Sequence, residues 1–443
     1  MKSAKAGHVL PTSSFREEAQ ASWAMGWKVS VDVLFQVLLT SISIAFIGHI
    51  GSKELAASAL VSVWANSVHT ALSGLFGVWV QLCLLFTSAL SILATVSFFF
   101  VDRMLGFLTD DPEVLHFAAT YARWTSPTVL PTALHCVLRQ YLQSQEIFAP
   151  ATAISALSVV VCFAANCVLV PPMGMVGAAL ASGIVSVFQP VALVAYSCWW
   201  RGYHRKTWLG VELHECLYID RVRDFLCILV GITFSLTLDE WVYNILLAIA
   251  GSLGTPYFAA CSILFNLWSV FSISWGVALP MMGRCANFLG ANNPAAAKHS
   301  VWVGTVLGAS ASALCVLAVL IFRHSMVSWF THDVEVMALV DHVIPMFCIA
   351  ACLSGLHRIL GSALKAVALT TTLVSIVIGG SLVVTLPLSY VLGVVLRGEL
   401  VGIWSGSVCG EGQGLAAGAR AVACGLASAR STRGDSLGSC TRG

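Results

Sequence analysis

Of the 443 residues, 58% are hydrophobic and 10% charged, and the formal net charge is +2, whereas a soluble domain carries roughly 25% charged residues. So small a charge, with no basic run interleaved with aromatics, excludes nucleic acid as a partner, and the scarcity of charge excludes an ordinary soluble domain. The 15 cysteines lie mostly within apolar segments without CxxC pairs or metal-ligand spacing, so they read as small packing residues, with no cofactor or metal implied.

In chain order, residues 1–22 lack a long apolar core and read as a cytosolic N-terminal tail, not a cleavable signal. Eleven apolar spans follow, near 24–47, 55–76, 78–101, 117–138, 150–170, 175–199, 224–250, 257–282, 300–322, 337–361 and 371–396. Runs of about 20 residues suffice to cross a hydrocarbon core of roughly 30 Å, so the fold class is all-α and the chain a polytopic membrane protein with the lipid bilayer as its solvent. With the N-terminus inside, the linker 201–222, opening "RGYHRKTW", and the loops holding Arg284, Lys298 and Lys365 are cytoplasmic, while acid-rich "LTDDPEV" falls outside. Residues 407–443, rich in Gly, Ala, Ser and Arg, read as a disordered tail in place of a twelfth span.

The chain also repeats itself. "GHIGSKELAASAL" from Gly48 matches "GSLGTPYFAACSIL" from Gly251 at an offset of 203, "MLGFLTDDPEV" matches "MVSWFTHDVEV" at 222, and "MVGAALASG" around Gly177 matches "LVGIWSGS" around Gly402 at 225. Residues 23–200 and 223–406 therefore form two lobes built on a six-span repeat, the second with five of its six spans present, parallel repeats of a kind that transporters use. The jump in offset means the first lobe lacks about 19 residues between Leu60 and Met104. Its second and third spans meet near Gly77 almost without a loop.

At "RCANFLGANNPAAAK", with "GHIGSKELAASAL" before it and "YLQSQEIFAP" after the fourth span, the chain resembles the multidrug and toxic compound extrusion (MATE) family, eukaryotic branch. Arg284, Asn287, Leu289, Gly290, Ala291, Asn293, Pro294 and Ala297 fit the family's loop motif. The resemblance spans roughly residues 20 to 406. It implies twelve helices in two six-helix lobes around a central cavity, in a plasma or vacuolar/vesicular membrane. The implied activity is export of a small organic cation or xenobiotic in exchange for H+ or Na+. Two departures stand out: the short junction near Gly77 and the absent twelfth helix.

The candidate site centres on Asp239 and Glu240, inside the apolar run "LTLDEWVYNILLAIAG". Carboxylates inside a membrane are costly and mark functional sites. Spacing to Gly251 matches Asp239 to the acid of the family's seventh helix, whereas the helical wheel favours Glu240, which shares a polar stripe with Thr233, Thr237 and Asn244. Asn244 and Asn266 stand where the family places further polar or acidic groups, and a third family acid falls on Ser354. Trp241, Tyr243, Trp268 and Trp275 are candidates to hold an organic cation over their ring faces. Asp32 reads as a self-neutralised pair with Lys28 one turn earlier, and His69 and His135 as bonded to neighbours.

The leading reading is a secondary antiporter that rocks two lobes about a midplane cavity. The alternatives are a non-transporting truncated product of the same gene and, more weakly, a lipid flippase. An enzyme is not expected: there is no HExxH or phosphate-cradling loop, and the GxSxG match "GDSLG" from Gly434 lacks the strand and helix a nucleophile elbow needs.

Overall fold

Every regular element among the described residues is a helix in the computed structural model, which describes residues 14–51, 53–54, 57–58, 61, 80–101, 112–203, 219–271, 276–328, 333–367 and 369–440. Helix α1, Phe15–Gly48, starts with a capping box. The Glu17 backbone N–H donates to Ser14 Oγ at 3.3 Å, and the Ser14 N–H donates to Glu17 Oε2 at 2.9 Å. Two donors that a helix start leaves orphaned are thus satisfied reciprocally. Residues 15–22, read above as tail, are instead the first turns of this helix.

Helices α2 (Val80–Phe98), α3 (Pro112–Thr125), α4 (Val129–Ser144) and α5 (Ala149–Val194) complete the first half. Spans 150–170 and 175–199 are both carried by α5, which breaks at Gly174 (φ 57°, ψ −131°) directly after Pro171 and Pro172. Proline removes a ladder donor and clashes with the preceding turn, and only glycine takes that backbone geometry cheaply. In the second half follow α6 (Ile219–Leu253), α7 (Thr255–Leu267), α8 (Ala278–Gly290), α9 (Pro294–Ser328), α10 (Val334–Ala366), α11 (Thr370–Val395) and α12 (Glu399–Cys440). Among the described residues, six helices are long and apolar enough to cross a membrane, one of them the double-length α5 segment, and two shorter apolar helices accompany them.

The repeat seen in the sequence reappears in the helix boundaries. Starts of α3 at Pro112 and α10 at Val334, and the ends at Ser144 and Ala366, are each 222 residues apart. Asp333 caps α10 by accepting the Glu335 N–H at 2.9 Å. The repeat extends to packing: a Cβ on Gly177 would strike the Leu169 carbonyl, and one on Gly402 the Leu392 carbonyl.

The tail is the larger correction. Residues 407–440 continue α12, with Val422 and Leu426 buried. Gly398, Gly402, Gly406, Gly410, Gly414 and Gly418 recur every fourth residue, Gly398 just ahead of α12 and the other five along a stripe that drifts about 40° per step around it. Along that stripe a Cβ would collide with Leu392, Ser389, Thr385 and His357 in turn at Gly402, Gly406, Gly410 and Gly414. Small residues at this spacing let helix backbones approach closely, which inside a bilayer outweighs their poor intrinsic helix propensity.

By contacts the chain divides into one unit of Met1–Ser30 with Trp241–Gly443 and another of Val31–Glu240. The divisions fall inside α1 and α6, not in the linker 201–222. The core of the first unit gathers Leu246, Leu264, Phe271, Phe347, Ile403 and Trp404, and that of the second Ile47, Phe98, Val129 and Ala178. The junction near Gly77, His69 and Trp275 lie outside the described residues.

Candidate functional site

In the unit Val31–Glu240, Asp32 is buried on α1 and each of its carboxylate oxygens accepts a hydrogen bond. Arg139 Nη1 of α4 donates to Oδ2 at 3.0 Å, and Ser155 Oγ of α5 donates to Oδ1 at 2.5 Å. Gln36 Nε2 donates onward to Ser155 Oγ at 3.2 Å. Lys28, the partner expected from spacing, is not the one used; its ammonium lies 6.0 Å from the Trp27 ring centroid. A guanidinium offers a planar fork of donors that a flexible ammonium lacks, and it arrives from a helix 107 residues away. Beside this network lies a cavity of about 240 Å³ whose polar lining includes Gln36, Ser43, Thr128, Ser182 and Gln189. His135 is buried with neither ring nitrogen hydrogen-bonded.

In the other unit the aromatic residues pack mainly on one another. Trp268 stacks on Trp404 at 5.8 Å, and the Tyr243 ring lies edge-on to Trp268 at 5.4 Å and to Phe265 at 5.6 Å. Trp268 is 6% exposed and Trp404 1%, so neither offers a free face to a cation. Trp241 is instead 55% exposed. Glu240 and Asn244 are both half-buried and lie one turn apart on α6. The Asp239 side chain lies outside the described residues, so its choice over Glu240 is left where the sequence put it. Asn266 is exposed, and its Nδ2 donates to the Ser262 carbonyl at 2.9 Å.

The loop motif builds a turn. Ala291 and Asn292 close α8 through N–H bonds to the Asn287 and Leu289 carbonyls, Asn292 takes φ 56°, and Asn293 Oδ1 accepts the Ala296 N–H at 3.1 Å to cap α9, which opens on Pro294. Asn tolerates the left-handed region, and proline suits the first helical position. A Cβ at Gly290 would meet nothing within 4 Å. Arg284 forms a bidentate pair with Glu18 of α1, Nε to Oε1 at 2.7 Å and Nη2 to Oε2 at 2.6 Å, and sits over the Phe288 ring at 5.3 Å.

Sequence reasoning missed one pair. His357 Nδ1 of α10 lies 2.8 Å from Glu411 Oε2 of α12, the side chains 13% and 16% exposed. Glu411 falls in the segment that reads as a disordered tail in the sequence. The four-residue glycine spacing around it was the signal that α12 is a packed helix.

A family model described as MatE matches residues 74–168 and 232–391, more than half of the chain and one segment in each repeat. Protein DETOXIFICATION 51 of Arabidopsis thaliana is 25% identical over 423 residues, covering 89% of this chain and 78% of its own length. Multidrug and toxin extrusion protein 1 of Rattus norvegicus is 27% identical over 429 residues, covering 90% and 75%. The crystal structure of the eukaryotic MATE transporter AtDTX14 shares the fold at a TM-score of 0.83 and 19% identity, covering 94% of this chain and 99% of that one. Repeat, helix order, loop motif and family match agree, and the chain belongs to the MatE family of multidrug and toxic compound extrusion transporters.

Proposed function

We propose that this chain exports small organic cations or xenobiotics by secondary antiport, taking up protons or sodium in return, with the α6 carboxylate Asp239 as the exchange group and its neighbour Glu240 as the alternative. The observation that carries the reading is that both carboxylates stand inside one apolar helical segment, Leu229–Leu253, long enough to cross a membrane. Asp32 is a poor exchange group by comparison, because Arg139 already neutralises it in place. An acid inside the membrane that holds a proton in one state and a cation in the other couples the two flows. Relatives named for detoxification and for multidrug and toxin extrusion support the substrate class.

The test is uptake of a fluorescent organic cation into proteoliposomes under a pH gradient. Asp239→Asn is expected to abolish it, since an amide cannot exchange protons, and Glu240→Gln to spare it. The reverse pattern moves the site to Glu240; loss in neither removes α6 from the mechanism. The non-transporting reading keeps one support, the short junction near Gly77, since the tail that also favoured it forms α12.

A further inference from the structure

Helix α5 runs on past Val194 into a π turn, Ala195–Trp200, closed by the Arg201 N–H bonding back to the Tyr196 carbonyl at 3.0 Å. Gly202 then takes φ 63°, and Tyr203 packs against Leu142, Ile154 and Leu193. The turn is thus held at both ends, yet Trp199 is 90% and Trp200 82% exposed. No charged residue stands between Glu146 and Arg201. Arg201 therefore marks the point where the apolar helical segment Ala149–Trp200 gives way to polar chain, which is where a membrane helix leaves the hydrocarbon and where indoles concentrate.

The Arg201 side chain is exposed. Its Nε donates to the Tyr196 hydroxyl at 3.2 Å, its guanidinium carbon lies 5.9 Å from the Tyr196 ring centroid, and no carboxylate among the described residues pairs with it. Its two terminal amino groups are left to form the parallel pair of hydrogen bonds that a guanidinium makes with phosphate. Further along the same helix runs an apolar groove of about 640 Å³ lined by Trp124, Leu180, Ile184, Val187 and Val191. Val194, also exposed, lies one turn past Val191, and because the bonds of a π turn run from i to i+5, Trp199 comes round close to the line of Val194. From Val191 to Trp199 the helix rises about 12 Å, and one leaflet of a roughly 30 Å core is about 15 Å deep. A tail anchored beside Trp199 thus reaches the groove.

We propose that this face of α5 binds one anionic phospholipid of the surrounding leaflet, its phosphate on Arg201 beside the two indoles and one acyl tail in the groove. A guanidinium without a carboxylate partner, next to an apolar channel, selects a ligand with a negative head and a hydrocarbon tail. A free phosphate gains nothing from the groove, and a neutral tail gains nothing from the guanidinium. The indole N–H groups supply further donors for headgroup oxygens. All of these residues belong to the unit Val31–Glu240, and the site is independent of which ion the α6 carboxylates exchange.

Native mass spectrometry of the purified full chain in mild detergent tests it, with dioleoyl phosphatidylglycerol and dioleoyl phosphatidylcholine as probes. The wild type is expected to retain one phosphatidylglycerol about fivefold better than phosphatidylcholine, the preference that one basic group near a membrane surface provides. Arg201→Gln is expected to level the two lipids, and Arg201→Lys to keep most of the preference. Gly183 also lines the groove, and a Cβ there meets nothing closer than Thr128 Cγ2 at 4.0 Å. Gly183→Leu is expected to fill the groove and lower retention of both lipids, and Val191→Trp to do so from the exposed rim; thermal midpoints near wild type show that the variants fold. Equal retention of the two lipids by the wild type overturns the proposal. So does wild-type retention of phosphatidylglycerol by Arg201→Gln, or by both groove variants. Displacement of bound phosphatidylglycerol by inorganic phosphate assigns the guanidinium to a free anion, and a dimer lost in Gly183→Leu assigns the groove to a second copy; either overturns it as well.

Discussion

Asp32 shows how far one residue's role is set by partners that sequence neighbours do not reveal. Buried to 2% exposure, it draws Arg139 and Ser155 from two other helices, one to each carboxylate oxygen, in place of Lys28. Breaking a buried ion pair from one side strands the other charge and costs roughly 3–5 kcal/mol, whereas replacing both partners with apolar residues is often neutral. Asp32→Ala is therefore expected to lower the thermal midpoint in detergent strongly, and Asp32→Leu combined with Arg139→Leu to recover most of the loss. Lys28→Ala, measured in the same way, is expected to cost much less than Asp32→Ala; an equal cost would return Lys28 to the pair. The aromatic candidates divide similarly. Tyr243 and Trp268, two of the candidates to hold a cation, turn their faces to Phe265, Phe347 and Trp404, partners up to 136 positions away in the chain.

At the scale of helices, α12 is the element whose sequence misleads. Six glycines at four-residue spacing lower intrinsic helicity by about 1 kcal/mol each, and judged by propensity alone the segment is a tail. Propensity is not what decides inside a bilayer, where backbone groups must be bonded internally and close approach brings dispersion contacts. The stripe gives a paired prediction. Gly410→Val forces side-chain atoms onto Thr385 and the Gly380 carbonyl and is expected to destabilise by about 1–3 kcal/mol, the usual cost of overpacking. Gly412→Ala, two residues on and open on all sides within 4 Å, is expected to be neutral or slightly stabilising. Thermal midpoints of the two purified variants decide; equal losses would mean that α12 does not pack through that face. The start of α1 was legible in principle, since Ser14 and Glu17 spell a capping box, and it is the Glu18 next to them that reaches Arg284.

For the whole molecule, the offset of 222 residues recurs in the helix boundaries of α3–α4 and α10, so the repeat is a property of the fold and not of a few matching letters. The same offsets make the first repeat about 19 residues shorter between Leu60 and Met104, where the second and third sequence spans are joined almost without a loop, at a junction that lies outside the described residues. The antiport proposed above, if it works by rocking of the repeats, needs slack there. Inserting a loop of about 19 residues, copied from positions 284–294 and their flanks, after Gly77 is expected to raise efflux of a fluorescent organic cation several-fold at equal membrane abundance. Equal rates with and without the loop would show that the short junction is tolerated and would remove the remaining support for a non-transporting form.

Helical class, membrane placement, two-fold repetition and the family were determined by the sequence alone, because each follows from one-dimensional quantities: apolar run length, charge density and the spacing of recurring motifs. The carboxylates of α6 were visible for the same reason, since a charge inside an apolar run stands out locally. Which helix faces meet was decided only by tertiary structure. Arg139 finding Asp32, Arg284 finding Glu18 across 266 residues, and His357 finding Glu411 are outcomes of packing between distant segments. A helix presents about 3.6 directions per turn, and its own sequence does not say which neighbour each direction will meet.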